Sequence, residues 1–250
     1  MLKRLYLKSN ILFATLWIVA YCVLMSVGDS LSAVIGIEKS VTLPVGILLS
    51  TILLVFLKKN GLFEVYGLCR ARSSARSMLY YLPVFIMLTA NLWYGVTMNY
   101  GVAETVLYIL SMFCVGFLEE MIFRGLLFEA MRKDNLTSAV VVSSVTFGIG
   151  HIINLVNGSG AELLPNLLQV VYATAAGFMF VMMYYKSKSL IGCIITHGVF
   201  NALSVFSNED ISQKMQILTC VLLTVITSSY AIYLAWTVKK DKELRKENNV

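Results

Sequence analysis

The chain has 250 residues, 58% of them hydrophobic and 14% charged, with a mean hydropathy of +0.77. A soluble domain carries roughly 25% charged and 45–50% apolar residues, and a disordered chain departs in the opposite direction, so both are excluded in favour of one lipid-embedded domain, 1–250. The net charge of +6 does not imply a nucleic-acid partner, because Lys and Arg flank apolar runs in small groups and form no stripe or RNA-binding motif.

A bilayer core takes about 20 apolar residues as helix, and eight stretches qualify. They are Ile11–Gly28, Val41–Leu57, Met78–Met98, Val102–Met131, Ala139–Val156, Leu163–Tyr185, Leu190–Phe206 and Gln216–Trp236. The first follows Lys3, Arg4 and Lys8 like a signal peptide, but its apolar run is too long and no A-x-A site follows, so it reads as an uncleaved anchor. The fold expected is all-α, a polytopic membrane helical bundle of about eight transmembrane helices. Alternate loops and tails hold seventeen Lys and Arg on one side and two, Lys39 and Lys214, on the other, with Arg124 inside a span. Basic loops stay in the cytoplasm, which places both termini there. The loop from Lys58 to Ser77 mixes apolar and basic residues, and enforcement of topology is favoured over an interfacial helix. Five scattered cysteines without a CxxC pair indicate neither a disulfide framework nor a thiolate zinc site.

Ionisable groups at mid-membrane cost roughly 2.5–3.5 kcal/mol each and demand a reason. Here they concentrate in three spans. The fourth holds Glu119, Glu120 and Arg124, the fifth Phe147 and His151, and the seventh His197 and Asn201. Glu120 and Arg124 lie one turn apart in the favourable order for an ion pair, and Glu119 points about 100° away. His197 and Asn201 stack on one face, Phe147 walls the space beside His151, and Gly148, Gly150 and Gly198 suit close helix approach. Glu162, Glu209 and Asp210 read as solvated loop charge, and Glu104 and Glu129 as snorkelling near helix ends. At about 1.5 Å per residue, Glu119 lies roughly 18 Å in from Met131, His151 about the same distance in from Ala139, and His197 about 10 Å in from Leu190, which can bring the three near one level. A polar cavity in the membrane follows, expected to be reached from the cytoplasmic side. A carboxylate there can serve as base on water, imidazoles can shuttle protons, and an Asn amide can donate to an oxyanion, a set suited to amide hydrolysis. Glu119, His151 and His197 also make a zinc ligand set, but HExxH is absent. The metal-free route, with no cofactor required, is favoured over zinc.

In order and spacing, Glu119-Glu120-x-x-x-Arg124, Phe147-x-x-x-His151 and His197-x-x-x-Asn201 resemble the three motifs of the CPBP (CAAX protease and bacteriocin-processing, or Abi) intramembrane endopeptidases. The resemblance implies a motif-bearing core of about 102–206. It gives Glu119 as the residue that activates water with help from His151, His197 and Asn201 as the oxyanion pair, and Glu120 and Arg124 as structural support. It also implies a membrane-associated, prenylated or bacteriocin-like peptide as substrate. Membrane lipids are the other expected partners, while substrate identity and oligomeric state are not encoded. Small size, short loops and the lack of a transit-peptide pattern point to a multi-pass protein of a bacterial plasma membrane. Two rivals stand beside the enzyme: a non-catalytic immunity protein that binds a bacteriocin or its receptor, and a proton or ion pathway.

Overall fold

The computed structural model describes residues 2–157 and 162–247, with side chains to Asp241. The tail residues Lys242, Arg245 and Lys246, counted above for orientation, have side chains outside the described residues. The chain is all-helical. In order it forms α1 (Leu2–Lys8), α2 (Asn10–Ile35), α3 (Thr42–Lys59), α4 (Leu82–Leu88), α5 (Val102–Met131), α6 (Leu136–Leu155), α7 (Leu163–Ser187), α8 (Ile191–Phe206) and α9 (Gln213–Glu247). Local signals set the boundaries. Ser9 is extended and its Oγ accepts the Leu12 N–H at 3.2 Å, which separates α1 from α2. Gly36 at φ 76° closes α2 in the left-handed conformation that glycine adopts without a Cβ penalty. Asn135 caps α6 by accepting the Ser138 N–H at 2.9 Å.

Six helices, α2, α3, α5, α6, α7 and α9, are long and apolar enough to cross a membrane, fewer than the eight expected. The expected span Leu190–Phe206 is the shorter apolar helix α8. The expected span Met78–Met98 is broken into a 3₁₀ turn (Arg76–Tyr81), α4 and a second 3₁₀ turn (Ala90–Leu92). Leu79, Tyr80 and Tyr81 take φ of 49°, 50° and 59°, which interrupts the helix, and Pro83 then sits in the first turn of α4, where its missing N–H costs nothing. The loop after α3 is a series of turns, with no interfacial helix. Rows of exposed Leu, Val and Ile on α2 and α9 form the surface that lipid would cover.

The bundle has two distinct ends. At one, the basic loop after α3 is tied to the α7–α8 turn: Arg72 N–H donates to Ser187 O and Leu190 N–H to Gly67 O, both at 2.8 Å. At the other, Thr97 N–H donates to Phe206 O at 2.9 Å, Glu38 N–H to Glu104 Oε1 at 3.0 Å, and Ser30 Oγ to Asn157 O at 3.0 Å. The segment 76–92 therefore runs from the basic end to the opposite end as a broken traverse. Gly116 and Gly198 let α5 and α8 cross in contact, since a Cβ on Gly116 would lie 2.6 Å from the Gly198 nitrogen. Gly148 does the same for α6 against Thr174, whereas Gly150 meets nothing within 4 Å and instead lines a cavity.

Candidate active site

The site is built on α5, where the helix changes winding. From Glu120 to Phe128 it widens into a π-helix, a form concentrated at functional sites. Ser143 on α6 donates to the Phe123 carbonyl at 2.8 Å and fixes this wide turn against its neighbour. Every residue of the widened stretch is buried. At its start, two adjacent carboxylates part company.

Glu120 and Arg124 are both fully buried, and Arg124 Nη1 donates to Glu120 Oε1 at 3.1 Å. The guanidinium carbon lies 4.0 Å from the centre of the Phe147 ring and 5.3 Å from that of Phe180, a cation–π arrangement that partly offsets lost hydration. The same Glu120 oxygen lies 2.8 Å from His197 Nδ1. An ionised carboxylate only accepts, so His197 carries its Nδ1 proton towards Glu120. Its Nε2 faces Glu119 Oε2 at 3.5 Å. Phe180 stacks on the ring at 5.5 Å and Phe147 meets it edge-on at 5.6 Å, so three aromatic and carboxylate walls set its plane.

Glu119 is held differently. Tyr21 donates its hydroxyl to Glu119 Oε1 at 2.6 Å, while Oε2 is buried and has no hydrogen-bond partner among the described residues. His151 sits where α6 tightens into a 3₁₀ turn, secured by Asn166 Nδ2 donating to its carbonyl at 2.8 Å. Its Nδ1 lies 3.0 Å from the Phe147 carbonyl, which can only accept, so the neutral ring leaves Nε2 as an acceptor. Asn201 lies on the wall of the same space, and among the described residues its side-chain amide has no hydrogen-bond partner. A cavity of about 270 Å³ joins Tyr21, Glu119, Phe147, His151 and Asn201 and extends to Asp29 and Lys39. A second space of about 40 Å³ adjoins it behind His151 and Asn201, between α7, α8 and α9.

The structure thus brings together the sequence-predicted Glu119, Glu120, Arg124, Phe147, His151, His197 and Asn201. Two expectations need correcting. The cavity extends away from the basic end, not towards it, because the widened turn of α5 packs solidly on that side. Glu129 is not a snorkelling surface acid: it is 7% exposed and accepts from Arg132 Nε at 2.6 Å. The sequence reading missed Tyr21 and Phe180. For Tyr21 a signal existed, since it stands roughly 16 Å along α2 from Asn10, the level already assigned to Glu119. As for a metal, no group of three or more His, Cys, Asp or Glu side chains placed to hold an ion occurs among the described residues.

An all-helical bundle with six helices long and apolar enough to cross a membrane points to a multi-pass membrane protein, with a carboxylate–imidazole cluster inside it. Residues 101–203 match the family described as type II CAAX prenyl endopeptidase Rce1-like. That stretch is similar to this CAAX protease (CPBP/Abi) family, a family of proteases, and all seven sequence-predicted site residues fall within it. No curated protein and no solved structure matches the chain.

Proposed function

We propose that this protein is an intramembrane endopeptidase in which Glu119 activates water for attack on a peptide bond of a membrane-associated peptide. One observation carries the reading. Glu119 keeps one buried, unbonded oxygen beside a cavity, within 3.5 Å of His197 Nε2, while Tyr21 holds its other oxygen. Water in the cavity is oriented by Glu119 Oε2 and by the acceptor Nε2 of His151. As it attacks the carbonyl carbon, its proton passes to Glu119 and from there to His197 Nε2, which leaves Glu119 ionised again. The imidazolium so formed is stabilised by Glu120 through Nδ1. The Asn201 amide and the newly protonated His197 then donate to the oxyanion, and the proton is returned to the leaving amine.

Glu120 and Arg124 act through His197 and are positioning residues. Each step uses protein side chains alone, and a requirement for zinc would show as cleavage lost on chelation and restored by the metal. The experiment is to compare the membrane peptides of cells expressing the parent chain with those of cells expressing Glu119→Gln. The expected result is a defined set of longer peptides that accumulates in the variant. Identical peptide profiles, or protection against a bacteriocin that survives the substitution, would overturn the peptidase in favour of an immunity protein acting by binding.

A further inference from the structure

We infer that the scissile peptide reaches Glu119 from the non-cytoplasmic side of the membrane, so that the substrate is a peptide or membrane-protein segment exposed on the outer face; this rests on the peptidase reading above. The cavity gives the direction. Its deepest wall residues are Tyr21 on α2, Phe123 on α5, Phe147 on α6, Tyr172 on α7 and Phe200 on α8. Counted along each helix, none of them lies nearer than about 12 Å to the basic end. From that level the wall continues only the other way, through Ser26, Asn154 and Ser204 to Asp29, Lys39 and Thr42 beside the α2–α3 loop.

The opposite direction is closed. Met121, Ile122, Arg124, Leu126, Leu127 and Phe128 are at most 6% exposed and occupy the centre of the bundle below Glu119. No water-filled route passes through such packing. Orientation then follows from charge. Among the described side chains the closed end carries fourteen Lys and Arg, and the open end carries two, Lys39 and Lys214. Basic loops are retained in the cytoplasm, so the closed end is cytoplasmic and the open end is outside.

Thiol labelling of the full chain tests this. In a Cys69→Ser, Cys114→Ala background, native Cys22 and an added Ser26→Cys report the cavity, and Lys133→Cys reports the basic end. Intact bacterial cells are treated with a charged, membrane-impermeant methanethiosulfonate, lysed, and probed with a maleimide-polymer gel shift. The reagent should abolish the shift at Cys22 and Ser26→Cys and spare Lys133→Cys, with the reverse in inverted vesicles. If Ser26→Cys does not fold, Cys22 alone gives the answer, and an alkaline phosphatase fused after Val250 should be inactive. Cavity thiols blocked only in inverted vesicles, or in neither preparation, would overturn the inference. Labelling needs no catalysis, so the two readings fail separately. Cytoplasmic labelling together with cleavage lost in Glu119→Gln rejects the outer access and leaves the peptidase. Outer labelling together with cleavage indifferent to Glu119 rejects the peptidase and leaves the direction of the opening.

Discussion

On one side of the Glu119 level the bundle is solid, and on the other it is hollow. The solid half buries Glu120 and Arg124 completely and surrounds them with Phe147, Phe180 and the widened turn of α5. The hollow half holds Glu119, His151 and Asn201 around a space of about 270 Å³. Two carboxylates adjacent in sequence therefore meet opposite conditions. Each keeps one buried oxygen without a hydrogen-bond partner, but Glu120 commits its other oxygen to two fixed partners, Arg124 and His197, away from the cavity, whereas Glu119 lines the cavity wall. The difference teaches why the proposed mechanism gives Glu120 the holding of a geometry and Glu119 the chemistry.

The sharpest way to break this contrast is to change each acid alone. Glu119→Gln should lower peptide cleavage by about 10²–10⁴-fold, the usual contribution of a general base, with its melting temperature in detergent unchanged. Arg124→Met should do the reverse in kind. Leaving Glu120 buried without its cation costs about 3–5 kcal/mol, read as a lower unfolding midpoint, and activity falls with the folded fraction. Loss of melting temperature in the first variant, or full stability in the second, would erase the distinction between the halves.

Asn201→Ala should reduce kcat by about 10²-fold with little change in KM, as for removal of one oxyanion donor. Removing metal asks whether zinc belongs to the hollow half. Cleavage should persist after exhaustive chelation, and reversible loss restored by zinc would reassign Glu119, His151 and His197 as ligands. Tyr21→Phe should have a smaller effect, about 1.5–3 kcal/mol for a bond to a charged group, seen in the pH profile of kcat. The smallest effect lies at the rim. Burial lowers the Lys39 pKa, but Asp29 at 2.9 Å and Glu38 at 3.2 Å outweigh it, so the net shift is upward. A raised folded pKa contributes stability below the unfolded value, roughly 10.4, which is lost as pH rises through the folded one. Lys39→Met should flatten that alkaline decline in thermal melts.

Much of the centre is legible in the sequence because its chemistry is carried by spacing on single helices. Glu120 and Arg124 pair at i and i+4 as their spacing predicts, and the aromatic Phe147 does stand between His151 and His197. What escapes depends on contacts between distant helices. Tyr21 meets Glu119 across 98 residues of sequence, and beyond its matching depth along α2 no local pattern marks an apolar-run tyrosine as a partner. The Met78–Met98 stretch has a span's composition, but hydropathy does not sense the left-handed residues that break it. Depth arithmetic places the polar groups on one level, yet counting from a single end says nothing about which side of that level is packed. The close approach expected at Gly148 occurs, and that expected at Gly150 does not, because small size permits contact without requiring it.

The phenol of Tyr21 has a practical corollary for anyone wishing to work with a minimal enzyme. It belongs to α2, far upstream of the 101–203 stretch that carries every motif residue, and it grips the very carboxylate to which the proposed mechanism assigns the activation of water. A fragment trimmed to the recognisable protease portion would keep its signature and lose its grip. Screens of shortened versions should therefore retain the opening helix, or supply it as a separate polypeptide and look for rescue.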